Sequence, residues 1–404
     1  MSAPGKLLQF HNCEILRGSK IFREDLWVRD KKIVNPEPVF YDEKIIADEK
    51  IDCGGALIVP GFIDLQINGG FGFDFSTSEN VENSVTSVAK GVLQHGVTSF
   101  CPTIITSSPH EYRQIIPNIA VQNGGKHGAG ILGIHVEGPF INKEKKGAHP
   151  VNHIKDLKNG FHDIIDTYGN LDNIRLVTLA PELDPEGSVI KELVKRGITV
   201  SLGHSIANLS QAEHGIAYGA SFITHLFNAM LPFHHRDPGL VGLLASEKLP
   251  KNKRIFYGII ADGIHTHPAA LRIAFHANSK GLVLVTDAMS AMGLKSGSTY
   301  CIGESKVEVT HDRAVVAGTE TLSGSIATMD SCVRFLHKST GCSLVEAIEC
   351  ATLHPAQALH ITHLKGTLDY GTDADFVLLD KNLEVISTYI AGMCVWKKQV
   401  PVNT

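Results

Sequence analysis

The stretch 197–230, GITVSLGHSIANLSQAEHGIAYGASFITHLFNAM, decides how the chain is read. Two short apolar runs, Ile198–Leu202 and Ser221–Thr224, each lead into a histidine, His204 and His225. A polar, helix-like segment separates them, and Gly219 precedes the second run. This is the pattern of a βαβ unit with a polar residue at the carboxyl end of each strand. Imidazoles at those ends lie side by side on one rim of a parallel sheet, where a metal is to be sought.

Outward from this unit, similar runs recur. ALIVPGFIDLQING, from Ala56, ends in Asp64, Gln66 and Asn68. Val97–Phe100, Ile131–Val136, Ile174–Leu179, Ile255–Ile260 and Leu282–Val285 complete a set of eight. Several follow a glycine, the usual residue just past a helix end. Eight near-continuous apolar strands alternating with helices predict a closed (β/α)8 barrel, with a doubly wound open sheet as the competing architecture. Residues 1–58 hold short apolar segments between charges and turns, which read as an antiparallel sheet. The segment Lys295–Glu320 reads as a hairpin insertion after the eighth strand. Helices are expected over Ile326–Lys338 and Leu344–Leu359, and short strands again to the C-terminus. The organisation expected is a barrel over 59–359 and a small β-sandwich built from 1–58 and 360–404.

Composition narrows the function. The 404 residues are 43% hydrophobic and 20% charged, with a net charge of −5, which offers no footprint for nucleic acid or a membrane surface. No stretch approaches the roughly 18 apolar residues of a membrane span. The eight cysteines are scattered without a C-x-x-C, as in a reducing compartment, so a cytoplasmic protein is expected. With 21 histidines, a lone histidine means little, and position must decide.

In a barrel the reactive groups sit at the carboxyl ends of the strands. That position reads Gln66, Thr103, Glu137, Glu182, His204, His225, Asp262 with His265, and Asp287. One carboxylate, Glu137, with two neutral imidazoles, His204 and His225, is a common open site for one catalytic divalent metal, zinc above all. Taken singly, each is also explained as a rim ion pair or a core histidine bonded to backbone. Asp287, ending LVLVTDAMS, is suited to move a proton between water and a leaving nitrogen; a helix N-cap is the plainer alternative. His265 in ADGIHTHP is the donor expected at a developing oxyanion, with His267 set aside because it precedes Pro268 at a helix start. His235 and Arg236, in HHRDPG, form a cationic pair suited to a phosphate, although such a loop is otherwise a solvated turn.

Together PGFIDLQINGG, HVEGPF, GHS, THLFNAM, DPGLVG, ADGIH, VTDAM and GTLDYGTDADFVLLD resemble the N-acetylglucosamine-6-phosphate deacetylases of the amidohydrolase superfamily, in their animal form. The superfamily usually carries His-x-His at the end of the first strand. Here the position reads Asp64-Leu65-Gln66, which limits the site to one metal. The resemblance implies Glu137, His204 and His225 as ligands and Asp287 as catalytic acid and base, with Gln66 lining the site. It implies that Asn228 and Ala229 meet the sugar phosphate, and exposed amides at a strand end suit that anion. Ala148 matches a substrate-contact position, and His149 lies beside it. TLSGS, with Leu322, Ser323 and Gly324, resembles a lid over the sugar. A homodimer is implied, with a basic residue of the Arg236 loop reaching the neighbouring subunit. The expected reaction is hydrolysis of an acetamide on a phosphorylated amino sugar. A cyclic-amide hydrolase and a catalytically inert scaffold are the competing readings.

Overall fold

The computed structural model describes residues 5–77, 79–249, 254–297, 299–302, 305–309, 313–318 and 324–399. Its centre is a ring of parallel strands: β1 (Phe62–Ile67), β2 (Val97–Ile105), β3 (Ile134–Glu137), β4 (Ile174–Leu179), β5 (Thr199–Leu202), β6 (Phe222–Ile223), β7 (Phe256–Ile259) and β8 (Leu282–Leu284). Each pairs in parallel with the next. The ring closes just beyond β8, where Asp287 N–H donates to Gln66 O (2.8 Å) and Asn68 N–H to Ala288 O (2.7 Å). Closure removes the open-sheet alternative, because neither β1 nor β8 is left as an edge.

Local chemistry explains the alternation. Between β5 and β6, Asn208 and Gln211 form a reciprocal capping box at the start of the helix Leu209–Tyr218. Gly219 ends that helix at φ 125°, which a side chain would resist. Between β6 and β7 the linker carries a 3-10 segment, Gly239–Ala245, where the sequence pattern suggested a regular helix. The eight runs lie where expected, but β2 extends past Phe100 to Ile105. Pro102 makes the run look finished at that point. It is tolerated because the register against β1 shifts between Phe100 and Pro102, so no ladder bond needs its missing N–H. Thr103 is therefore inside β2, not past it, and its hydroxyl accepts the Ile67 N–H (3.0 Å).

The two chain ends build a pair of sheets beside the barrel. One has six strands in the order Met393–Lys397, Val385–Ile390, Phe376–Leu379, Leu57–Pro60, Glu14–Arg17 and Lys20–Phe22. The other has four, in the order Lys32–Ile33, Leu26–Arg29, Leu8–His11 and Glu49–Asp52. The N-terminal segment is thus not one antiparallel sheet: it divides between two, and Leu8–His11 runs parallel to Glu49–Asp52. Phe10 of the smaller sheet meets Phe376 (centroids 4.9 Å) and Tyr389 (5.2 Å) of the larger, both edge to face.

After β8, Thr299–Ile302, Ser305–Val309 and Ala314–Val316 form a three-stranded antiparallel insertion. The helix expected at 326 begins at Met329, behind Thr328 as N-cap. The one expected over 344–359 is two, Leu344–Glu349 and Leu353–Ala358. Pro355 cannot sit inside a continuous helix, so the chain breaks at Thr352 and restarts. Among the described residues no helix is long and apolar enough to cross a membrane.

Candidate active site

The carboxyl ends of the strands converge on a cavity of about 290 Å³. Glu137 is the last residue of β3, and His204 and His225 follow β5 and β6 by two residues each. His204 Nε2 lies 3.1 Å and His225 Nε2 3.0 Å from Glu137 Oε1, and the two nitrogens are 3.0 Å apart. All three residues are buried. His204 Nδ1–H donates to the Lys145 carbonyl (2.7 Å), which leaves its Nε2 lone pair aimed at the common point.

This triangle fits a cation. Two imidazole nitrogens and a carboxylate oxygen face one another at one point, an arrangement of three ligand atoms that a shared cation completes. The edges are close to the roughly 3.3 Å expected for tetrahedral ligands at 2.0–2.1 Å from zinc. Burial opposes charge on Glu137, but the two imidazoles beside it hold its carboxyl well below the usual range. Burial likewise opposes the charged form of His225, yet Glu137 holds it up at about 9. Both shifts express the same demand for positive charge among these atoms.

Asp287 stands next to the triangle. Its Oδ1 accepts from Asn68 Nδ2 (2.7 Å) and Gln66 Nε2 (3.2 Å), and Gln66 Nε2 also donates to Glu137 Oε1 (3.0 Å). Burial, reinforced by the charge of Glu137, lifts the Asp287 carboxyl to about 7. It caps no helix. Asp64 lies deeper, accepting Thr286 Oγ1–H (2.6 Å) and the Gln66 N–H (3.2 Å) where β1 meets the chain beyond β8. The backbone is strained at these positions: His204 (φ 48°), His225 (φ 24°), Ala229 (φ 51°) and Asp287 (φ 47°) all lie in the left-handed region, at a cost of about 1–3 kcal/mol each. The closed ring holds them there.

His265 and Asp262 form a couple. Asp262 Oδ2 accepts from His265 Nδ1 (2.6 Å), and its Oδ1 accepts the backbone N–H groups of Ile264 and His265. His265 lines the cavity, whereas His267 is exposed and caps the helix Pro268–Asn278. Asn228, Ala229, Ala148 and Gly324 also line the cavity. His149 lines it as a neutral ring, its pKa pushed down to about 3 by burial, with Nδ1 2.8 Å from Thr106 Oγ1.

Not every strand-end residue gathers here. Glu182 accepts from Ser205 Oγ–H (2.6 Å), Ile206 N–H (2.9 Å) and Asn142 Nδ2 (3.1 Å), and so braces the loops beside His204. His235 and Arg236 occupy an exposed turn, and neither is on the cavity wall formed by this chain. Leu322 and Ser323 lie outside the described residues. Sequence reading passed over Asn68 as a site residue, although the alternation Asp64, Gln66, Asn68 puts it on the face of its neighbours. It had no signal for Asp74, Ser76 or Met289, which also line the cavity.

With this geometry in place, the likeness to known proteins is informative. The Amidohydrolase family matches residues 57–395. The N-acetylglucosamine-6-phosphate deacetylase of Homo sapiens is 58% identical over 398 residues, spanning 98% of this chain and 97% of that protein. That of Caenorhabditis elegans is 48% identical over 400 residues, spanning 98% and 96%. The crystal structure of N-acetylglucosamine-6-phosphate deacetylase from Pasteurella multocida superposes with a TM-score of 0.82 at 30% identity, covering 96% of this chain and 98% of the other. The strand-end carboxylate and imidazoles, the closed barrel and these full-length likenesses agree: the chain belongs to the amidohydrolase family and, within it, to the N-acetylglucosamine-6-phosphate deacetylases.

Proposed function

We propose that this chain hydrolyses the acetamide of N-acetyl-D-glucosamine 6-phosphate to D-glucosamine 6-phosphate and acetate. The observation that carries the reading is the buried triangle of Glu137, His204 and His225 with the Asp287 carboxyl tied to it through Gln66. Glu137, His204 and His225 would hold one divalent metal, and zinc is our choice for their N, N, O donor set. Such a metal lowers the pKa of a water towards neutrality and polarises a carbonyl oxygen.

Asp287 handles the proton. Its Oδ1 is engaged by Asn68 and Gln66, so Oδ2 is the oxygen that takes a proton from water and returns it to the departing nitrogen. A carboxyl lifted to about 7 is matched to both halves of that task. His265, fixed at Nδ1 by Asp262, turns Nε2 to the substrate and donates to the acetyl oxygen as charge develops there. Asp64 and Gln66 in place of a His-x-His pair argue for one metal over two and against a cyclic-amide hydrolase.

Asn228 and Ala229 would cradle the phosphate with backbone amides, Ala148 and Gly324 on the cavity wall would border the sugar, and Gln66 would act from behind the wall through Glu137 and Asp287. Leu322 and Ser323 belong to the same assignment as a lid. His235 and Arg236 would supply the cationic contact across a homodimer interface, because the cavity wall of one chain carries no lysine or arginine among the described residues. We place the enzyme in the cytoplasm and assign residues 1–58 and 360–404 to one β-sandwich domain, with 59–359 as the catalytic barrel. Acetate release from N-acetylglucosamine 6-phosphate, measured with and without a chelator alongside elemental analysis, tests the function. No acetate from metal-replete protein, or undiminished release after the metal is stripped, would overturn it.

A further inference from the structure

Among the described residues three carboxylates line the cavity: Glu137, Asp287 and Asp74. The first two are absorbed by the chemistry above, and the third is not. Asp74 sits on a hairpin between β1 and the helix Val81–Gly91, where Phe73–Asp74 pairs with Gly69–Gly70. The hairpin is held firmly. Phe71 N–H donates to Met292 O (2.6 Å), Gly72 N–H to Ser290 O (2.8 Å) and Phe75 N–H to Asn68 O (3.1 Å). Ser76 Oγ accepts the Ile105 N–H (3.1 Å) at the end of β2, which ties the far side of the hairpin to the barrel rim.

The Asp74 carboxylate is itself oriented. Its Oδ1 accepts the Ser76 N–H (2.7 Å), and no hydrogen bond reaches its Oδ2 among the described residues. No ion pair accompanies it there, and burial raises its pKa unopposed by any cation. Half-buried on the cavity wall, its Oδ2 is open to accept from a donor that enters the cavity. Its place on the rim narrows which donor. Asp74 lies on the β1–β2 side, whereas Asn228 and Ala229 follow β6, four strands round the ring from β2. A dianionic phosphate at Asn228 and Ala229, with the acetamide over the Glu137–His204–His225 triangle, leaves the far hydroxyl groups of the sugar facing Asp74.

We propose that Asp74 is a specificity-determining residue, whose carboxylate accepts a hydrogen bond from a ring hydroxyl remote from the phosphate. The same carboxylate excludes sugar phosphates carrying an acidic ether on that side of the ring. The assignment rests on the deacetylase reading of the site. A hydroxyl bonded to a carboxylate is a charge-assisted contact, and the acidic ether meets both a lost donor and a like charge.

The test is steady-state kinetics of Asp74→Asn and Asp74→Ala with N-acetylglucosamine 6-phosphate and with its 3-O-lactyl ether, with metal content and melting temperature measured in parallel. With the parent substrate, Asp74→Ala is expected to raise KM about tenfold or more while kcat changes by less than about threefold. Asp74→Asn, which removes the charge and keeps the shape, is expected to narrow the preference for the parent over the ether about tenfold or more. Unchanged KM and unchanged preference in both variants would overturn the proposal. So would a loss confined to metal content or stability, which would mark Asp74 as structural. Failure of the wild-type protein to release acetate would instead strike the deacetylase reading.

Discussion

Asn68 Nδ2 lies 2.7 Å from Asp287 Oδ1, joining the residue just past β1 to a residue three positions past β8 at the seam where the barrel closes. The seam thus orients the carboxyl proposed to move the proton. Replacing Asp287 by Asn keeps the shape and removes the carboxyl to which the acid–base role is assigned. Turnover should fall about 10²–10⁴-fold with metal content preserved. Asn68→Ala should lower kcat by a smaller factor, about tenfold, through loss of one orienting hydrogen bond. Steady-state kinetics with elemental analysis check both, and near-normal turnover in Asp287→Asn would remove it from the mechanism.

His204→Ala deletes one corner of the triangle, and the Glu137 carboxylate then loses one of the two imidazoles that hold it ionised. The purified variant should carry well under the wild-type metal per chain, with activity falling in proportion. Wild-type stoichiometry would exclude His204 as a ligand.

Arg236→Ala tests the phosphate assignment. The side chain is exposed and off the cavity wall of its own chain, so the proposed contact requires a neighbouring subunit. KM for N-acetylglucosamine 6-phosphate should rise about tenfold or more, with far less effect on free N-acetylglucosamine. Equal effects on the two substrates would exclude the contact, and a strictly monomeric protein in sedimentation would exclude the route across an interface.

Asp330 makes a prediction about stability. It opens the helix Met329–Thr340 and accepts from His95 Nδ1 (3.0 Å) and Arg334 (2.9 Å). Burial opposes its charge, but His95 and Arg334 outweigh it and hold the carboxyl down at about 2. A depressed carboxyl stabilises the fold above its unfolded pKa, near 4, and that stability is lost as pH falls towards 2. The contribution at neutral pH is about 2 kcal/mol. Asp330→Asn should lower the urea midpoint at pH 7, and the gap from wild type should shrink between pH 4 and pH 3. A gap independent of pH would show that the ion pairs contribute nothing.

The repeated apolar runs, each followed by a polar residue, made the barrel legible, because strands buried on both faces leave little choice of residue. Glu137, His204, His225 and Asp287 were legible for the same reason: a titratable group at or just after the end of such a run is carried to the rim of the barrel. His265 was separated from His267 by Pro268, a local helix-start rule that the observed cap obeys. Thr103 was misplaced because Pro102 looks like a strand end until its partner strand is seen to slip register. Glu182 shared the strand-end pattern but turned to neighbouring loops, since position along one strand does not specify the direction of a side chain beyond its end.

By itself the sequence determined the kind of fold and the residues able to hold a metal, because hydrophobic periodicity and side-chain chemistry are local properties. Tertiary structure alone decided that β1 and β8 meet and that Asn68 and Gln66 therefore grip Asp287. It also decided that a hairpin carries Asp74 to the cavity wall. Those relationships join positions far apart in the chain, and only closure of the barrel brings their atoms within hydrogen-bonding reach.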